Sequence, residues 1–328
     1  MNKPTAELID AKTLEQLKIF LSEKPRVVII THANPDGDAI GSSLGFHLAL
    51  KNLGFETTLA CLDPVPEAFH FLKHWEYFQN DFDPKNFDGI IFLDCGEKKM
   101  TRFQDAHPEI FSDKLVKINI DHHPTNDNFG DINFVITDAC STAEIVFHLL
   151  KKLETKITPE IANALLIGMY TDTGSFQHQN TNPSAYATAG KLVRCGASPA
   201  KIAKNVFFSN EFRQFKLWGK VLNNLHLTDD NALIVGVYKK DYEAIGATRG
   251  DLNGVVDLIN SMPDAKYSVV LSEDEKGNVK ASLRTRNEEV DVKSLAEKFG
   301  GGGHVKASGF TIPHGHLQKE VKWKIVKK

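Results

Sequence analysis

The sequence predicts an α/β fold with a doubly wound, mostly parallel sheet, joined by a helical connector to a smaller α+β domain. The sheet is predicted because short apolar runs rich in β-branched residues alternate with helical patterns, and turn residues separate them. The smaller domain is predicted from a change of pattern beyond residue 222. The strand candidates there are 232–238, 267–271 and 279–284, and the helices are 252–260 and 292–299. We place the domains at residues 1–190 and 223–328, with the connector at 191–222.

The elements of the first domain follow from the periodicity of apolar residues. An amphipathic helix is predicted over residues 13–22, with Thr13 as its N-cap and Gln16 completing a capping box. Mostly apolar stretches indicate buried strands, and apolar residues at helical spacing indicate the helices between them. The strands are 27–30, 56–61, 89–93, 115–120 and 133–136, and helical patterns follow at 44–53, 143–153, 159–170 and 180–222.

Composition limits the class of protein. With 328 residues, 41% hydrophobic and 25% charged, the chain is long enough for two folded domains. Its formal net charge of -3 argues against a protein that grips long duplex nucleic acid through the backbone. The four cysteines form no CxxC pair, and we find neither a signal pattern nor an apolar run of about 18 residues. We therefore expect a cytoplasmic protein that makes no contact with membranes.

The stretch behind the first strand concentrates polar side chains. His32, Asp36 and Asp38 lie on one Pro/Asp/Gly turn, at the carboxyl end of a predicted strand, where open α/β sheets bind their ligands. Two carboxylates about 4 Å apart repel by roughly 4 kcal/mol at an effective dielectric constant near 20. A bound cation would relieve that repulsion.

Further acids and histidines follow the other elements of this domain. Asp94 ends the third strand, Asp121-His122-His123 ends the fourth, and Asp172 ends a mostly apolar helix. Each acid alone is more often a turn or cap residue, but a parallel sheet could gather all of them along one edge. Oxygen and imidazole donors without thiolate suit one or two divalent ions such as Mn²⁺. Two such ions can activate a bridging water for attack on a phosphoryl group.

A glycine run marks the end of the second domain. Gly300 to Gly303 precedes His304, and Arg284 ends a predicted strand upstream. Glycines allow close backbone approach, and exposed amides form concavities that bind anions. The alternative is a flexible linker, which the phenylalanines on both sides of the run disfavour.

These motifs resemble a known family in their order and context. The segments His32-x-x-x-Asp36-x-Asp38, Asp94, Asp121-His122-His123 and Thr171-Asp172-Thr173-Gly174 resemble the four motifs of the DHH phosphoesterase superfamily. The segment from Gly300 to Gly309 and Ser282-Leu283-Arg284 resemble the DHHA1 substrate-binding domain. Together they look like the bifunctional oligoribonuclease and pAp phosphatase subfamily, the nanoRNases.

The resemblance implies a role for each matching residue. His32, Asp36 and Asp94 would hold one Mn²⁺, and Asp94 would bridge to a second. The second ion's ligands would be Asp38, Asp94, His122 and Asp172. Asp121 would orient a ligand histidine, and His123 would face the scissile phosphate. The substrate would be bound by Arg284, Gly302, Gly303 and His304. Mg²⁺ or Co²⁺ would be possible substitutes for Mn²⁺.

The resemblance also implies the activity and the partners. It implies a Mn²⁺-dependent phosphodiesterase that hydrolyses short single-stranded RNA to mononucleotides, with pAp as a further substrate, and a possible homodimer. One alternative is a phosphodiesterase for linear dinucleotides (pApA or pGpG) from cyclic-dinucleotide turnover. A second alternative, from a different class, is a nucleotide-binding sensor without catalysis. An inorganic pyrophosphatase is disfavoured because its second domain is of another type.

Overall fold

The structure of the chain is a computed structural model that describes residues 4–112, 114–206, 212–252 and 254–318. The chain divides into two compact units, Met1–Ser209 and Asn210–Lys328. The predicted connector spans this division, and its residues 207–211 lie outside the described residues, as does the basic tail from residue 319. Among the described residues, no helix is long and apolar enough to cross a membrane.

The first unit contains a six-stranded sheet in the order β3-β2-β1-β4-β5-β6, in which every neighbouring pair is parallel. This confirms the predicted doubly wound α/β fold. The strands are β1 (Val27–Ile30), β2 (Thr57–Ala60), β3 (Phe78–Gln79), β4 (Gly89–Leu93), β5 (Val116–Asp121) and β6 (Ile132–Val135). β1 and β4 are buried along their whole length, because helices and loops cover both faces of the sheet.

The helices of this unit begin with two near its amino end and continue between and after the strands. They are α1 (Thr5–Leu8), α2 (Ala11–Ser22), α3 (Gly37–Asn52), α4 (Thr142–Lys152), α5 (Pro159–Asp172), α6 (Pro183–Arg194) and α7 (Pro199–Val206). The predicted cap at Thr13 is wrong. α2 begins two residues earlier, because the Asp10 carboxylate accepts both the Thr13 N–H (2.8 Å) and the Thr13 hydroxyl (2.9 Å).

Glycines on α3 allow this helix to pack closely against α5. A Cβ added at Gly41 would clash with the carbonyl oxygen of Ala164, and one added at Gly37 would clash with the side chain of Thr171. The amino end of α3 therefore lies beside the carboxyl end of α5. This packing brings the acids of the first motif close to Asp172, the last residue of α5.

The second unit contains a mixed six-stranded sheet in the order β11-β12-β10-β9-β8-β7. β8 and β9 are parallel, and the other neighbours are antiparallel. The strands are β7 (His226–Leu227), β8 (Ala232–Val237), β9 (Tyr267–Glu273), β10 (Val279–Arg284), β11 (Gly302–Gly303) and β12 (Ala307–Ile312), and the helices are α8 (Phe212–Asn223), α9 (Lys239–Glu243), α10 (Val255–Ile259) and α11 (Val292–Glu297). The predicted α+β class is confirmed. Small helices pack on both faces of this sheet around separate apolar clusters.

Candidate metal centre

The sheet order explains why residues distant in the sequence meet at one edge. β1, β4 and β5 are neighbours and run parallel, so their carboxyl ends lie side by side. His32 follows β1, Asp94 follows β4, and His122 and His123 follow β5. This is the edge at which open α/β sheets bind ligands.

Asp94 lies at the centre of this cluster. Its side chain is 2% exposed, and its backbone has a φ of 58°, an unusual left-handed conformation that aspartate tolerates better than most residues. Asp94 Oδ2 lies 3.7 Å from His32 Nε2, and Asp94 Oδ1 lies 3.8 Å from His122 Nε2 and 3.7 Å from His123 Nδ1. One carboxylate is thus shared among three imidazoles.

One group of possible ligands consists of His32, Asp36 and Asp94. His32 Nδ1 lies 2.8 Å from the carbonyl oxygen of Ala33 and donates its proton there, so Nε2 is the ring nitrogen that would bind an ion. Asp36 Oδ1 lies 3.9 Å from that nitrogen and also caps α3 by accepting the N–H of Asp38 and Ala39. The cap fixes the orientation of the Asp36 carboxylate.

On the other side of Asp94 lie His122, Asp172 and Asp38. His122 Nε2 is 3.8 Å from Asp172 Oδ2, which also accepts a 3.1 Å hydrogen bond from the Asn180 amide. Asp38 is 1% exposed, and its two oxygens accept backbone N–H bonds from residues at the start of α4. Asp94, His122 and His123 form a second group whose donor atoms converge.

These distances fit shared cations. Nitrogen and oxygen atoms that bind one ion at about 2.1 Å lie roughly 3 to 4 Å from each other. The separations of 3.7–3.9 Å around Asp94 fall in this range and are too long for direct hydrogen bonds. The donors are carboxylate oxygens and imidazole nitrogens, the set that suits Mn²⁺ and similar divalent ions.

The electrostatics of the carboxylates also favour a cation. Burial and the charges of Asp94 and Asp172 raise the pKa of Asp38 well above its usual value. Burial, opposed by His122 and reinforced by Asp94, raises the pKa of Asp172 to about 6. Burial acts in the same direction on Asp94, but the imidazoles of His32 and His122 outweigh it and lower the pKa of Asp94 to about 2. Divalent ions would compensate the repulsion among these acids.

His123 is held by a separate hydrogen-bond relay. Its Nδ1 lies 2.8 Å from Asp121 Oδ1, so Asp121 orients His123 rather than its neighbour His122. The second oxygen of Asp121 accepts a 2.7 Å bond from the Asn126 amide, which also donates to the carbonyl oxygen of Cys95. Asn119, fully buried on β5, donates to Asn126 in turn.

The predicted substrate residues of the second unit have partners of their own. Arg284 Nε lies 3.0 Å from Asp257 Oδ1, and the guanidinium also donates to the carbonyl oxygen of Leu283. Gly302 and Gly303 form the short strand β11, and the N–H of His304 donates to Ala307 in the turn that follows. A depression of about 370 Å³ lies beside this region. It is lined by Arg249, Lys280, Ala281, Gly300, Gly301, Gly309, Phe310 and Thr311.

Several residues that support the site were not predicted from the sequence. Asn126, Thr142, Gly168 and Asn180 each adjoin a predicted site residue, yet none carries a charge or belongs to the motifs. The signal that could have found Thr142 was the Ser141-Thr142 step immediately before a helical pattern, which is typical of a helix start. What this helix start would face could not be read from the pattern.

Two family models match the chain where these motifs lie. The DHH family, N-terminal domain, matches residues 26–169, and the DHHA1 domain matches residues 230–327. A bifunctional oligoribonuclease and PAP phosphatase NrnA from Thermus thermophilus is 35% identical over 286 residues, which cover 87% of this chain and 84% of that protein. The chain belongs to the DHH phosphoesterase family. It is therefore a phosphoric-ester hydrolase, as the resemblance of the motifs implied.

Two other relatives agree with this membership. The NrnA of Bacillus subtilis, described by the same name, is 27% identical and covers 87% of this chain and 89% of its own length. The crystal structure of an exopolyphosphatase-related protein from Bacteroides fragilis has 26% sequence identity and a TM-score of 0.87, covering 94% of this chain and 93% of that one. The two-part DHH and DHHA1 architecture thus extends over nearly the whole chain.

Proposed function

We propose that this DHH phosphoesterase is a divalent-metal-dependent phosphodiesterase that hydrolyses short oligoribonucleotides to mononucleotides and also removes the 3'-phosphate of pAp. The relatives named NrnA are described as oligoribonucleases and PAP phosphatases, which supports this substrate class. The observation that carries the proposal is the convergence of acids and imidazoles on the buried Asp94, at the sheet edge where this fold binds ligands.

The residues around Asp94 divide into two ligand sets for two ions. His32, Asp36 and Asp94 would hold one ion, and Asp38, Asp94, His122 and Asp172 would hold the other, with Asp94 shared. Mn²⁺ suits this mixture of oxygen and imidazole donors, and Mg²⁺ or Co²⁺ would be substitutes. Bound ions would supply Lewis-acid polarisation of a phosphoryl oxygen and a more acidic water for the attack on phosphorus.

His123 takes the role nearest to the phosphate. Because Nδ1 donates to Asp121, the ring edge that carries Nε2 is directed away from the relay and can contact a phosphoryl oxygen. Asp121, anchored by Asn126, holds the imidazole in that orientation through the reaction. The oriented imidazole would then donate a hydrogen bond to the phosphoryl oxygens as negative charge develops on them. Enzymes commonly stabilise such transition states with hydrogen-bond donors that are already in place.

The second unit supplies the contacts that select short substrates. Arg284, Gly302, Gly303 and His304 would bind a terminal phosphate or the nucleotide next to it. Arg284 pairs with Asp257, so a phosphate would compete with that carboxylate for the guanidinium. We propose domain limits of 1–190 and 223–328, with 191–222 as the connector between them.

The test is a product analysis with the purified full chain. RNA dinucleotides, linear pApA and pGpG, a long single-stranded RNA, pAp and pyrophosphate are incubated in parallel with Mn²⁺, Mg²⁺ or Co²⁺, and with EDTA as the control. Fast metal-dependent turnover of dinucleotides and pAp, with the long RNA spared, is expected. Turnover of pApA or pGpG alone would redirect the substrate to linear dinucleotides. No turnover of any nucleotide would refute the proposal.

A further inference from the structure

The amino end of α4 contacts two of the carboxylates at the centre of the site. The N–H of Thr142 donates to Asp38 Oδ2 at 2.6 Å, and the N–H of Ala143 donates to Asp38 Oδ1 at 3.0 Å. The Thr142 hydroxyl donates to Asp94 Oδ1 at 3.0 Å. Thr142 is fully buried, and Asp38 and Asp94 are almost fully buried. One residue thus binds two acids that come from separate elements, α3 and the end of β4.

These contacts differ in kind from those of a metal ligand. Thr142 presents N–H and O–H donors, so it cannot compete with the acids for a cation through these contacts. Backbone N–H groups at a helix start carry partial positive charge and favour the ionised form of a carboxylate, so the N–H of Ala143 opposes the effect of burial on the pKa of Asp38. The Thr142 hydroxyl restricts the rotation of the Asp94 carboxylate. The backbone of Asp94 itself has the left-handed conformation described above.

The start of α4 is itself anchored by hydrogen bonds. Ser141 caps the helix by accepting the Glu144 N–H. The buried Glu144 carboxylate accepts the N–H of Cys140 at 2.9 Å and the hydroxyls of Thr5 at 2.9 Å and Ser184 at 2.6 Å. Because the β-branched Thr142 side chain also has a restricted χ1, its hydroxyl is held at a defined point.

We propose that Thr142 is a positioning residue that aligns Asp94 through its hydroxyl and Asp38 through its amide, so that both carboxylates are in place before a divalent ion binds. This inference rests on the ligand assignment in the proposed function. Since Asp94 is shared by both ion sites in that assignment, loss of the hydroxyl weakens the binding of both ions. Loss of a group that orients a ligand from outside typically weakens metal binding about 10- to 100-fold.

The test compares Mn²⁺ binding to the full chain in the absence of substrate, by calorimetry and by the electron paramagnetic resonance signal of free Mn²⁺. Thr142→Val removes the hydroxyl and keeps the amide and the branched shape, whereas Thr142→Ser keeps the hydroxyl. Thr188→Val is the matched control, because Thr188 is also fully buried and its hydroxyl lies 3.0 Å from His148 Nε2 in a pair outside the Asp94 cluster. Near-ultraviolet circular dichroism checks the folding of each variant.

Thr142→Val is expected to raise the Mn²⁺ dissociation constant by about 10-fold or more, while Thr142→Ser and Thr188→Val stay within about threefold of wild type. Equal Mn²⁺ affinity of folded Thr142→Val and wild type would overturn the role of Thr142 and leave the proposed function intact. Failure of wild type to bind Mn²⁺ would instead overturn the ligand assignment itself. Should Thr142→Val not fold, Thr142→Ala and Thr142→Ser are compared, and equal affinities of these two would also refute the proposal.

Discussion

Replacing Gly168 by alanine tests whether the position of Asp38 controls activity. Gly168 lies on α5, and a Cβ added there would lie 2.7 Å from the Ala143 methyl carbon and 3.2 Å from Asp38 Cα, and would clash with Asp38 Oδ1. The carboxylate cannot rotate freely away, because both its oxygens accept N–H bonds from α4. Alanine at this position must therefore displace Asp38 or separate α5 from α4.

The expected loss of stability in Gly168→Ala is small, whereas the expected loss of activity is large. Overpacking costs about 1–3 kcal/mol, and the higher helix propensity of alanine returns about 1 kcal/mol, so the loss of stability is roughly 0–2 kcal/mol. Displacement of an oriented ligand is expected to reduce the Mn²⁺-dependent hydrolysis of an RNA dinucleotide about 10- to 100-fold. Urea unfolding and initial rates at saturating substrate measure the two effects.

Gly190→Ala is the matched control. Gly190 lies exposed on α6, and a Cβ added there meets no atom within 4 Å. This variant should gain about 0.5–1 kcal/mol of stability and keep its activity. Wild-type activity in folded Gly168→Ala would show that the enzyme tolerates movement of Asp38, and the reasoning from its close packing would fail.

Three further predictions concern separate parts of the molecule. Asp94→Ala should abolish hydrolysis at every Mn²⁺ concentration, and retained turnover would contradict the bridging assignment. Asn126→Ala should lower kcat for RNA dinucleotides about 10- to 100-fold by freeing Asp121, and an unchanged kcat would separate the relay from catalysis. Burial, which outweighs Glu144, lowers the pKa of His148 to about 4, so His148 is neutral in the folded chain while the unfolded chain binds a proton near pH 6.5. The free energy of unfolding should therefore fall by up to about 3 kcal/mol between pH 6.5 and 4. Urea unfolding at each pH should show a smaller fall in the His148→Gln variant. An equal pH dependence in the variant and in wild type would refute the prediction.

The sequence was sufficient to predict the fold class, because strand and helix patterns alternate clearly through the first unit. It also predicted that His32, Asp94 and His122 follow strands. That these strands are neighbours is a property of the sheet order, in which β1 lies between β2 and β4. Local patterns do not encode this order, so the meeting of the three residues could be expected only from the general rule for parallel sheets and from the family resemblance.

The residues that could not be predicted share a physical property. Thr142, Asn126 and Asn180 are uncharged and act by donating hydrogen bonds to acids that are distant in the sequence or in another element. A threonine at a helix start normally indicates a local cap, and only the three-dimensional structure shows that its hydroxyl is bound to Asp94. The helix start at Thr142 was predictable, but its partner was not.

The hydrogen bonds to the acids offset part of the cost of gathering several carboxylates in one folded unit. Asp38 accepts hydrogen bonds from the start of α4, Asp121 from Asn126, and Asp172 from Asn180. Each of these carboxylates is thus bound by groups other than the histidines around Asp94. A buried carboxylate without such donors would take up a proton or turn toward solvent. The donors therefore keep the acids in place for a cation. Variants of the donor residues test the orientation of the ligands, whereas variants of the acids test the binding of the cation itself.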